Sequence, residues 1–120
     1  MTDDLLQVIA TDARPLERGE LVTVVRVVAS ALATRGGAAS HAALSRALGE
    51  PIAIAKAGDF IEPAQLYDAV AASTSWRRPA ALQLAQSVLV ALARALGPSG
   101  RRRLSGELPP HWARLLEDPT

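Results

Sequence analysis

The sequence predicts an all-α protein: a single compact helical domain over residues 1–120, with two long buried helices at its centre and short helices around them. Three observations carry that prediction. Apolar residues make up 49% of the chain and come mostly from Ala, Leu and Val, while Phe60, Tyr67, Trp76 and Trp112 hold the aromatics to 3%. This is the composition of helix formers, short of the Ile, Thr, Tyr and Phe that a pleated surface uses. Two runs, Leu21 to Leu32 and Ala81 to Leu96, are apolar around most of a helical circumference and too long for strands. Glycine closes both, at Gly36-Gly37 and at Gly97-Pro98, as it does at helix C-termini.

In chain order, Thr2 caps a short helix to about Ala13, with Asp3 and Asp4 at the positive end of its dipole and Pro15 ending it. Glu17 to Arg35 is the first long helix. Its stretch Val22 to Val28 is β-branched, but the run exceeds strand length and ends in Ala-rich sequence, which decides for helix. Ser40 caps a short helix from His41 to Leu48, with Leu44 and Leu48 on one face and Gly49 and Pro51 closing it. Residues 51–59 (PIAIAKAGD) read either as a short helix or as an ordered crossover. Pro63 suits the first turn of a helix to about Ala72, with Leu66 and Val70 inward and Tyr67 at the edge, before a Ser73-Thr74-Ser75 loop. Pro79 opens the second long helix. After Gly97-Pro98, Ser99 caps a short helix carrying Leu104 and Leu108, and beyond Pro109-Pro110 a terminal turn carries Trp112, Leu115 and Leu116.

The order of long helix, glycine stop and short helix with two leucines occurs twice. A shift of 60 residues pairs Leu6 with Leu66, Val28 with Val88, Leu32 with Leu92, Gly37 with Gly97, Leu44 with Leu104 and Leu48 with Leu108. The sequence therefore predicts an internal duplication, with units of about 1–58 and 59–120. Each unit has one helix too apolar to stand alone, so the two long helices pack together.

The second half, from Phe60-Ile61 through Leu66, Val70, the long Ala/Leu/Val helix, Leu104, Leu108-Pro109, Trp112 and Leu115-Leu116, resembles the repeat unit of a bacterial family known as domain of unknown function 2267. The first half departs from that pattern, with Gly49-Glu50-Pro51 in place of a Leu-Pro. The resemblance implies an all-α cytoplasmic fold of two tandem helical units and supplies no catalytic residue.

The absence of cysteine excludes a disulfide scaffold, a thiolate zinc site and a thiol nucleophile, and a formal net charge of +1 separates the chain from strong polyelectrolytes. The acidic N-terminus, without an apolar run behind it, predicts a cytoplasmic protein. The longest uncharged stretch, Pro79 to Ala93, is shorter than the ~18–20 apolar residues of a bilayer span, so no membrane partner is expected. His41 and His111 are far apart and read as surface or cap positions rather than metal ligands; adjacent Ser40 and His41 point apart and make no hydrolytic pair. The carboxylate pairs Asp3-Asp4, Glu17 with Glu20, and Glu117-Asp118 lie at helix ends, and Gly97-Pro98-Ser99-Gly100-Arg101 lacks phosphate-loop spacing.

No catalytic, cofactor-binding or metal-ligating residue is assigned, and no cofactor or small-molecule substrate is identified. The candidate partner-binding residues are Trp76, Arg77, Arg78, Arg101, Arg102 and Arg103, because Trp and Arg are the residues of interface hot spots. Arg77-Arg78 and Arg101 to Arg103 fall near opposite ends of the second long helix and form no single patch. The reading is a soluble, non-enzymatic helical interaction module, either a homo-oligomer or a protein adaptor. The alternative is a DNA-associated protein gripping phosphates through Arg101 to Arg103, which the near-neutral net charge disfavours.

Overall fold

The computed structural model describes residues 18–55, 59–74 and 78–114, the side chains of 18, 78 and 79 excepted. Five helices and no strand occur among the described residues: α1 (Arg18–Gly36), α2 (Ala38–Leu48), α3 (Pro63–Thr74), α4 (Arg78–Glu107) and α5 (Pro110–Ala113). The predicted helix ending at Ala13 and the turn residues Leu115 and Leu116 lie outside the described residues.

Helices α1 and α4 are the two long elements, and they pack on each other. α3 lies against both, and α2 likewise, while α5 docks on α4. The interface is made by the apolar runs of the sequence: Val24, Val25, Val28 and Leu32 of α1 and Ala85, Val88, Leu89 and Leu92 of α4 are all fully buried. Leu44 and Leu48 of α2, Leu66 and Val70 of α3, and Leu104 of α4 close over them, as the sequence predicts. The radius of gyration of 12.9 Å is that of a compact chain of this length.

Arg26, Ser30 and Thr34 of α1 form a narrow stripe at four-residue spacing, and each is tied to the chain that follows α2. The Arg26 guanidinium donates to both carboxylate oxygens of Glu50, at 2.7 and 3.2 Å. Ser30 Oγ donates to the Ala53 carbonyl at 2.7 Å, and the Ala55 N–H donates to Thr34 Oγ1 at 3.0 Å. Residues 51–55 are therefore not a helix but an ordered crossover strapped along α1, with Ile52 buried. His41 of α2 fastens the same strap by donating from Nε2 to the Ile52 carbonyl at 2.6 Å.

Three expectations are corrected. Ser40 is not the N-cap of α2: the helix begins at Ala38 behind Gly37 (φ 94°, ψ −173°), a conformation open only to glycine. Ser99 caps nothing either. The chain breaks helical geometry at Gly97 (φ 76°, ψ 171°) and resumes with Pro98, whose ring suits a first helical position. Ser73 and Thr74 belong to α3, because their hydroxyls donate back to the carbonyls of Ala69 and Val70, at 2.8 and 2.9 Å, instead of leaving the helix. Ala80–Glu107 is long and apolar enough to cross a bilayer by length and composition, and it packs here as a core helix broken at Gly97.

The two long helices share one burial pattern. Positions 21–33 and 81–93 carry the same succession of buried, half-buried and exposed residues, and Gly37 and Gly97 share one backbone conformation. Ile52 and Trp112, also 60 apart, are both buried below their short helices.

Candidate functional site

Two packed helical segments build the site: α2 and the part of α4 after its break, residues 98–107. They run antiparallel. At one end Glu107 accepts hydrogen bonds from the Ser40 hydroxyl and from the Ser40 backbone N–H, the latter at 3.2 Å. This carboxylate satisfies an N–H in the first turn of α2 that no local side chain reaches, and its charge suits the helix's positive end. Gly36 makes the close approach possible: a Cβ there would stand 2.8 Å from both Ser40 Cβ and Ser40 Oγ and 3.1 Å from Leu104 Cδ1.

Toward the other end the facing residues Ala43, Ala47, Ser99 and Gly100 are small and leave a cleft. The cleft between them has a volume of about 320 Å³ and is lined by Ala43, Arg46, Ala47, Ala95, Leu96, Ser99, Gly100 and Arg103. Arg46 and Arg103 are exposed and come from opposite walls. Among the described residues their side chains make no hydrogen bond or ion pair, and the same holds for Arg94 and Arg102. The reason lies in the neighbouring acids: Glu107 is held by Ser40 and Glu50 by Arg26. In the Arg26–Glu50 pair the hydrogen bond holds the Glu50 carboxyl below the usual carboxylate range and the Arg26 guanidinium above its ordinary value.

Charge is thus divided between elements. Residues 59–74 carry Asp59, Glu62 and Asp68 and no basic residue, whereas Arg94, Arg101, Arg102 and Arg103 lie on α4 with one acid, Glu107, after them. The predicted site residues separate accordingly. Arg102 and Arg103 are exposed; Arg101 is half-buried and already engaged. Trp76 and Arg77 lie outside the described residues, as does the side chain of Arg78, which begins α4. Arg46, with no charge run around it, is the residue sequence reasoning missed. Nothing in the sequence places it opposite Arg103.

Other polar residues near the site are engaged structurally, whereas the buried Ser45 Oγ on α2 and Arg35 Nε on α1 have no hydrogen-bond partner among the described residues. Ser40 and His41 point to different partners, Glu107 and the Ile52 carbonyl, so they form no nucleophile–base pair. His111 is exposed, 3.5 Å from a carboxylate oxygen of Glu62. Trp112 is fully buried, and its indole N–H donates to the Ile61 carbonyl at 3.0 Å rather than facing solvent. No group of three or more His, Asp or Glu able to hold a metal ion occurs among the described residues. Burial raises the Tyr67 hydroxyl above its ordinary value.

No protein-family model, curated protein or solved structure matches the chain.

Proposed function

We propose that the chain is a non-enzymatic helical interaction module, an adaptor that docks an acidic protein surface on the basic end of the α2–α4 pair. The observation that supports this reading is the set of exposed guanidiniums at Arg46, Arg102 and Arg103, left without carboxylate partners among the described residues. The planar guanidinium fork is pre-organised, so arginine pairs with carboxylates through two parallel hydrogen bonds at less entropic cost per bond than lysine. An internal duplication accounts for the shared burial of 21–33 and 81–93 and for the matched glycines, and the likeness to the domain of unknown function 2267 family belongs to the same proposal. The two short helices have diverged in charge: the residue 60 before Arg103 is Ala43, and the residue 60 after Arg46 is Gly106.

The test is a binding titration with an oligo-glutamate peptide, as a surrogate acidic surface, and with duplex DNA, both at physiological salt. The reading predicts saturable binding of the peptide, lost when Arg46, Arg102 and Arg103 are replaced by Gln, and no measurable duplex complex. A duplex complex whose log–log salt slope falls by about three in the triple variant would replace this reading with phosphate recognition.

A further inference from the structure

The cleft between α2 and the end of α4 is more than a gap in a charged surface. One end of the helix pair is closed by Ser40 on Glu107 and by Gly36 under Leu104. The other end opens because Ala43, Ala47, Ser99 and Gly100 are too small to fill the space between the backbones. The cleft is open to solvent, with Arg46, Ala95, Ser99 and Arg103 exposed along it. The walls combine the apolar surface of Ala43, Ala47, Ala95 and half-buried Leu96 with Ser99, Gly100 and two guanidiniums from opposite helices, so the lining is at least as polar as it is apolar. At about 320 Å³ the cleft stands at the lower end of the range of small-molecule sites.

The geometry points to a binding site for a small amphipathic oxyanion: a carboxylate or phosphate head held by Arg46 and Arg103, with a short apolar body against Ala47, Ala95 and Leu96. Both parts are needed. Guanidinium forks recognise planar oxyanions by paired hydrogen bonds, and here no protein carboxylate competes for them. The alanine and leucine surface offers the head group nothing but shields an alkyl chain from water. A small oxyanion with a short apolar body is a different occupant from the acidic protein surface proposed above, although both draw on Arg46 and Arg103. The site stands whether or not that reading does.

The experiment uses the full ¹⁵N-labelled chain and three probes: sodium octanoate, with both parts; inorganic phosphate, with the head alone; and 1-octanol, with the body alone. Octanoate is expected to shift the amides of Ala47, Ser99 and Gly100 and the Nε–H signals of Arg46 and Arg103, and to bind about tenfold more tightly than either of the others. The double variant Arg46→Gln/Arg103→Gln should weaken octanoate about tenfold, whereas Arg94→Gln/Arg102→Gln, which removes the same charge outside the cleft, should change it less than about twofold. Ala47→Leu should fill the cleft and abolish binding with every charge in place. Failure of octanoate to bind the wild-type chain, or shifts centred elsewhere, would overturn the proposal. Equal weakening by the two arginine pairs would overturn it too, since that is the behaviour of diffuse attraction. Because the wild-type map needs no variant, misfolding of one leaves the proposal exposed to refutation.

Discussion

Replacing Gly36 by alanine sets a general rule against a local one. Gly36 ends α1 in a backbone conformation open to any residue, and in an open helix Gly→Ala adds about 1 kcal/mol of stability. Here the new Cβ would stand 2.8 Å from Ser40 Cβ and 3.1 Å from Leu104 Cδ1, and Ser40 cannot withdraw without leaving Glu107. Forcing a methyl into packed surroundings costs about 1–3 kcal/mol, and the charge-assisted bond to Glu107 is worth roughly 1.5–3 kcal/mol if it breaks. Subtracting the propensity gain leaves a net loss of about 2 kcal/mol, a fall in Tm of roughly 6–10 °C for a chain of this size. The internal control is Gly106→Ala, also on a helix but with nothing within 4 Å of its added Cβ, which should raise stability by about 0.5–1 kcal/mol. Thermal and urea unfolding followed by circular dichroism give both numbers. A Gly36→Ala protein as stable as wild type would refute the close approach of α1, α2 and the end of α4.

Leu92→Asp puts a carboxylate at a position with no solvent exposure on the central helix, at a cost of several kcal/mol, comparable with the whole stability of a small domain; no cooperative melt should remain. Trp112→Phe strips the Ile61 carbonyl of its donor and leaves a void, and should lower stability by about 2–3 kcal/mol in urea titrations. Glu50 is held below the usual carboxylate range by its hydrogen bond from Arg26. Stability from this pair is therefore fully present above the unfolded carboxyl value and lost as pH falls through the lower folded one; a carbon-detected titration should show the Glu50 midpoint rise in Arg26→Gln.

Local sequence carried the helices and their order, because proline starts and glycine stops act within a few residues. Pro63 opens α3 and Gly97 breaks α4 where their own backbone preferences place them. The misreadings share one cause, contacts made across the chain. Ser40 resembles a cap by its neighbours, but Gly37 takes the turn and the partner of Ser40 is Glu107, distant in sequence. Residues 51–55 have no periodicity that chooses between helix and crossover, since their order comes from Ser30, Thr34 and His41. The same limit applies to the site. Arg101 to Arg103 stood out as a charge run, yet the structure separates engaged Arg101 from exposed Arg102 and Arg103 and brings in Arg46, which only the antiparallel pairing of two helices reveals.

The claim that this chain works by presenting the basic end of the α2–α4 pair to an acidic partner is tested most directly by amide chemical-shift mapping with the oligo-glutamate peptide. The account predicts shifts on α2 and residues 98–107, weakened by salt, with α3 and its acidic approach at 59–62 unmoved. Shifts centred on α3, or a spectrum unchanged at saturating peptide, would contradict it.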